Sequence, residues 1–259
     1  MSSAAGFTAA WPMSALPMRS RTRRLVTRPP LPKGSESIPR PLSSKEDLMQ
    51  QQSSWERLAP LTGFIFVAIA VAVFAIGGST PGNHASAVKV ATFYGKHHDK
   101  HMILSFILAL SIPFLLFFVS TLRHDLRRAG GTGQLANAAF AGGVLAGVGF
   151  GILAFVHYAL ADAADSAKTI GTTQVLNVLD NTDFIPVAAG VGVLVLAAGL
   201  STVRHGGLPR WLGWVGVVIG VLAFTPAGFF AFLASGIWIA IASILLTQAR
   251  RSVAPATAG

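Results

Sequence analysis

The chain has 259 residues, 52% of them hydrophobic and only 12% charged, with a mean hydropathy of +0.59. That is more apolar surface than one soluble core of this length can hide, so lipid is the expected solvent. Cysteine is absent, which excludes disulfides, thiolate metal sites and cysteine nucleophiles, and the net charge of +10 acquires a meaning only from where it sits.

Residues 1–57 form a Ser-, Pro- and Arg-rich block without apolar periodicity, expected to be a disordered, basic cytoplasmic tail. Its stretch "RSRTRRLVTR" (19–28) is suited to anionic lipid headgroups, worth about 1 kcal/mol per charge near the surface. No nucleic-acid partner is expected, because aromatic interleaving and a recognisable module are missing. The first acid is Glu36, as in a transit peptide, but nothing marks a cleavage site, and Met49 is a second candidate start.

Six apolar runs follow, and a helix needs ~20 residues to cross the hydrocarbon. They are 61–78, 102–122 with Pro113 as an expected kink, 135–160, 184–203, 210–225 and 228–247. The last two are one run too long for a single crossing, divided at Thr225-Pro226-Ala227-Gly228. The expected fold is therefore all-α: a polytopic transmembrane bundle of about six spans over 58–249, followed by a short cytoplasmic tail, 250–259. Between spans three and four, "TTQVLNVLDNTDF" (172–184) reads as one short interfacial helix.

Charge orients this bundle. Arg123, Arg127, Arg128, Arg204, Arg210, Arg250 and Arg251 fall in alternate loops that share a side with the basic tail, whereas the other side holds Lys89, Lys96, Lys100 and Lys168 and no arginine. Cytoplasmic loops carry the excess of Lys and Arg, so both termini are expected in the cytoplasm. A five-span arrangement would put Arg250 and Arg251 outside. Trp211 and Trp214 read as an aromatic belt.

Packing within lipid relies on small residues, and Gly143, Gly147 and Gly151 place such a stripe on one face of span three, as do Gly216 and Gly220 in span five. The bland reading is tight packing; the functional one is a mobile transporter interface. No charge sits at mid-span, which argues against an ion-coupled pump.

Chemistry-bearing residues cluster at the expected outer face. "FYGKHHDKHMILSF" (93–106) places His97 and His101 four apart, on one helical face if span two extends outward, where they could ligate a divalent metal. His157 would be a third ligand and Asp162 or Asp165 a carboxylate, a set that licenses metal-assisted hydrolysis of a lipid-like substrate. The pattern lacks the Glu of HExxH, and polar residues at a helix mouth need no metal to explain them. The histidines acquire chemistry only if folding brings His157 or an outer aspartate to them. His124 and His205, flanked by charge at the inner interface, are poorly placed as paired haem ligands, and no cofactor is expected.

"LNVLDNTDF" (176–184) with "GGLPRWLGW" (206–214), the Thr-Pro break and the helix ending "LL" resembles an uncharacterised family of six-span membrane proteins, a domain of unknown function typical of high-GC bacteria. The resemblance spans about residues 55–249. It implies a multi-helix fold in the bacterial inner membrane and supplies no activity, cofactor or site residue. The leading expectation is a non-enzymatic envelope or signalling-associated protein whose partners are the bilayer and a second copy or another membrane protein. The alternatives are the metal-dependent lipid hydrolase and a small-molecule transporter or permease subunit.

Overall fold

Apolar runs whose backbone must satisfy its own hydrogen bonds fold as helices, and among the described residues only helices, turns and short connections occur. A computed structural model describes residues 58–130, 133–165 and 170–252, which belong to the second of the chain's two units, Ser43–Gly259. The expected disordered tail, 1–57, and the last residues, 253–259, lie outside the described residues. The helices are α1 (Leu61–Gly77), α2 (Ala87–Lys96), α3 (His98–Ala129), α4 (Gln134–Asp165), α5 (Ile170–Asp180), α6 (Phe184–His205), α7 (Arg210–Leu222) and α8 (Gly228–Ser252).

Four helical stretches are long and apolar enough to cross a membrane: α3, α4, the stretch ending in α6, and α8. The apolar helices α1 and α7 are shorter, with 17 and 13 residues. At 1.5 Å per residue these reach roughly 25 and 20 Å, against a hydrocarbon core of about 30 Å. The exterior is that of a membrane-embedded protein. Phe230 is 73% exposed and Phe155 70%, while Ser105, Ser111, Ser201, Thr202, Ser243 and Thr247 are buried. Many further large apolar side chains of these helices are exposed, a pattern that suits lipid better than water. Of these inward hydroxyls, Ser243 Oγ donates to Ile239 O (2.8 Å) and Thr247 Oγ1 to Ser243 O (2.7 Å), within their own helix, whereas Thr202 Oγ1 has no partner among the described residues.

The six apolar helices run alternately up and down between two ends. At one, the arginine end, Arg250 Nη2 near the end of α8 donates to Asp125 Oδ1 near the end of α3 (2.6 Å), and Arg123 lies over the Phe140 ring, 5.1 Å from its centroid. The α6–α7 turn lies there too. It needs two glycines, because Gly206 (φ 90°) and Gly207 (φ 94°) are left-handed, and Pro209 then restarts the chain as α7. At the other, the histidine end, α1 and α4 finish and α3, α6 and α8 begin. The helix α3 continues through Pro113.

The closest packing is between α4 and α6. A Cβ on Gly149 would stand 2.7 Å from the backbone N of Val187, and one on Gly142 or Gly190 would run into the backbone of the facing helix. Only glycine permits this approach, and dispersion between the two backbones is the return. The Gly143, Gly147 and Gly151 stripe faces α3 instead, meeting Val119 tightly at Gly143 and Ile112 loosely at Gly151 (3.7 Å). Gly216 seats the indole of Trp238, whose Nε1 donates to Leu212 O (2.9 Å), joining α7 to α8.

Candidate functional site

Two short helices build the histidine end. Ser86 caps α2 by accepting from the Lys89 N–H (3.4 Å), and Val90 and Tyr94, four apart, turn one face fully inward against Leu160 and Ala161 of α4. The chain breaks at His97 (φ −118°, ψ 20°), so α2 and α3 are separate helices and His97 occupies the junction. Its Nδ1–H donates to Phe93 O (2.8 Å).

The helix α5 is amphipathic in the opposite sense to a soluble surface helix. Thr173 and Asn177 are buried, with Asp180 and Asn181 a turn further on, while Val175 is 62% exposed along with Val178 and Leu179. An apolar face turned outward is what lipid surroundings reward. Asn177 Nδ2 donates to Gly82 O and Asn181 Nδ2 to Pro81 O, each at 3.2 Å, which pins α5 to the loop after α1.

These placements assemble a chain of side chains. His101 Nδ1 lies 2.9 Å from His157 Nε2, and His157 Nδ1 lies 2.7 Å from Asp180 Oδ1. The Tyr94 hydroxyl donates to Asp180 Oδ2 over 3.4 Å. Tyr94 and His101 are fully buried. Burial, and then the adjacent Asp180 carboxylate, holds the Tyr94 phenol well above the usual range, so it stays protonated and donates. Phe93 and Tyr94 wall in His101, their ring centroids 5.6 and 5.1 Å away.

The sequence-expected ligands fare differently. His101 and His157 are joined directly. His97 is near, with ring centroids 6.3 Å from His101, but its Nδ1 is committed to Phe93 O. Asp162 is exposed on α4, and the carboxylate that reaches the histidines is Asp180. Nothing is described of the Asp165 side chain. Both His157 nitrogens are engaged, and among the described residues no three His, Asp or Glu side chains form a metal-holding group. Tyr94 was not singled out from the sequence, and Asp180 and Asp183 entered only among the outer aspartates, not as named ligands. The signal for Asp180 was present, since Thr173, Asn177 and Asp180 follow a helical spacing that aligns polar residues on one side of α5.

Beside this chain is a cavity of about 300 Å³, at the lower end of the range of small-molecule sites. Its polar end is lined by Thr80, His101, His157, Asp180, Asn181 and Asp183, and its apolar end by Phe74, Leu104, Leu108, Phe229 and Phe232 among others. Two buried polar atoms of the lining have no hydrogen-bond partner, His101 Nε2 and Asp183 Oδ2. Burial, and after it the neighbouring Asp180 charge, pushes the Asp183 carboxyl up from its ordinary range. Comparison of the chain with protein-family models, with curated proteins and with solved structures finds no match.

Proposed function

We propose that this chain is a six-span protein of the bacterial inner membrane, with the histidine end outside and both termini in the cytoplasm, that binds a small amphipathic molecule without transforming it. The observation that carries the reading is the division of one cavity into a polar end, at His101, His157, Asp180 and Asp183, and an apolar end, at Leu104, Leu108 and the phenylalanines. A head group and a short hydrocarbon tail are the shape and chemistry that such a lining complements. The alternating run of the helices supports six crossings, with α1 and α7 as short spans that a locally thinned bilayer accommodates.

Binding without turnover is favoured over hydrolysis because, among the described residues, no hydroxyl of the lining is hydrogen-bonded to a histidine ring that could activate it. Ser105 Oγ in the lining donates to the His101 backbone carbonyl instead (2.9 Å). A transporter would need a helix interface able to slide, and the backbone-to-backbone packing of α4 on α6 opposes that.

The test is binding of ten-carbon amphiphiles to the full chain in phosphatidylcholine nanodiscs, read by native mass spectrometry and by the shift in thermal unfolding. At least one head-group class should bind with 1:1 stoichiometry, and Ala154→Phe, which projects a ring into the cavity, should remove it. Equal binding to wild type and to Ala154→Phe would refute the reading.

A further inference from the structure

We infer that the cavity selects an amphiphile whose head group is a primary ammonium, received by His101 Nε2 and Asp183. This rests on the ligand-binding reading above and names the chemical class of what is bound.

Hydrogen-bond logic along the buried chain gives His101 its polarity. Asp180 Oδ1 accepts from His157 Nδ1–H at 2.7 Å, so the proton of a neutral His157 is on Nδ1. His157 Nε2 then carries a lone pair and accepts from His101 Nδ1–H at 2.9 Å. With its own proton on Nδ1, His101 is left with an acceptor at Nε2. That atom is fully buried, belongs to a residue lining the cavity, and has no partner. An unpaired buried acceptor carries an uncompensated desolvation cost, which a ligand donor would remove.

Asp183 Oδ2 is a second acceptor in the same state. The adjoining Asp180 carboxylate has its oxygens on His157 and Tyr94 and leaves its negative charge at this end. Among the described residues no lysine or arginine lines the cavity. The adjacent lysine, Lys100, is turned away onto the last carbonyls of α1, donating to Ile76 O (3.4 Å) and Gly77 O (3.2 Å). Two unpartnered acceptors and two aspartates call for a ligand that brings both protons and positive charge. A primary ammonium has three donors and one charge, enough for His101, Asp183 and one further acceptor. A carboxylate head would meet two aspartates and a lone pair, and an alcohol brings a single donor.

The probes are decylamine, decanol and decanoate, added at pH 7.5 to the full-length protein in phosphatidylcholine nanodiscs. Decylamine is expected to bind at least about tenfold more tightly than decanol, the difference made by a charge-assisted hydrogen bond. Decanoate should not bind. Asp183→Asn and His101→Gln should each weaken decylamine by about tenfold or more while decanol changes little. Asp99→Asn removes an exposed charge from the same end and should leave the preference intact, which separates the site from general surface attraction. Melting curves of each variant without ligand show whether it folds, and Asp183→Asn alone suffices if His101→Gln does not. Decanol or decanoate binding as tightly as decylamine, in a manner still blocked by Ala154→Phe, overturns the ammonium inference and leaves the pocket standing. If none of the three binds in a manner sensitive to Ala154→Phe, both readings fall.

Discussion

His157 Nδ1 stands 2.7 Å from Asp180 Oδ1, and this contact ties the end of the long helix α4 to the short helix α5 laid across the histidine end. Both side chains are largely shielded, with 19% and 9% of their surface exposed. Removing one partner of such a pair leaves the other polar group without compensation. Asp180→Ala is expected to destabilise the protein by about 2–4 kcal/mol, since it strips acceptors from both His157 and Tyr94. Asp180→Asn keeps one carbonyl oxygen for His157 and should cost less than half as much. Thermal unfolding in nanodiscs orders the three proteins, and equal melting temperatures for wild type and Asp180→Ala would show that the contact does not form.

The α4 helix carries two glycine faces, and they are not equivalent. A methyl group on Gly149 would fall 2.7 Å from the backbone N of Val187, an atom that cannot rotate away, whereas one on Gly151 would rest 3.7 Å from Ile112 Cδ1. Gly149→Ala is therefore expected to destabilise by about 1–3 kcal/mol through overpacking. Gly151→Ala, with room for its methyl and a helix propensity gain of up to ~1 kcal/mol, should be neutral or stabilising. Comparing the two unfolding midpoints tests whether α6, and not α3, is the tightly seated neighbour.

Asp183 makes the stability depend on pH. Its carboxyl is pushed above the ordinary range by burial first and the Asp180 charge second, partly offset by His157, while His101 shares the same cavity. Between about pH 4 and its folded value of about 7, the folded state therefore holds a proton that the unfolded chain has already released. Stability contributed by this group is complete below the unfolded value of about pH 4 and declines as pH rises from there through the raised folded value. Asp183→Asn removes the titration, so the variant's melting temperature should fall less than wild type's over that interval. Parallel curves for the two proteins would show that Asp183 is not the group responsible.

Length and apolar content made the six apolar helices readable: 61–78 stands against Leu61–Gly77 and 184–203 against Phe184–His205, while 102–122 falls short of His98–Ala129, whose ends are polar. These segments need only lipid around them to form. The histidine end was less legible because three of its determinants are tertiary. The sequence treats His97 and His101 as one helical face, but the break at His97 gives them different elements. Helical spacing aligns Asp180 with Thr173 and Asn177, but it is the docking of Asn177 onto Gly82 and of Asn181 onto Pro81 that turns this side of α5 inward. Nothing local marks Tyr94, whose burial comes from packing against Leu160 and Ala161 of α4. The glycine stripe was visible, yet the stripe at Gly143 is not the one in backbone contact with α6.

The chain's lack of cysteine makes its orientation directly measurable, since any thiol introduced is unique. Asn83 is exposed in the loop after α1 at the histidine end, and Arg128 is exposed in the last turn of α3 at the arginine end. Arginines gather at the second end in the loops after α3 and α6 and at the close of α8, and such charge is retained on the cytoplasmic side during insertion. In intact bacterial cells a membrane-impermeant maleimide should label the Asn83→Cys variant and spare Arg128→Cys, and permeabilisation should expose the latter. A cytoplasmic reporter fused after Ser252 should be active, because α8 ends beside Asp125 of α3 through the Arg250 contact. If both thiols were labelled from outside, α3 would not cross the membrane and the bundle could not be six-span. Labelling of Arg128→Cys alone would invert it, turning the His101 cavity toward the cytoplasm and its ligand pool.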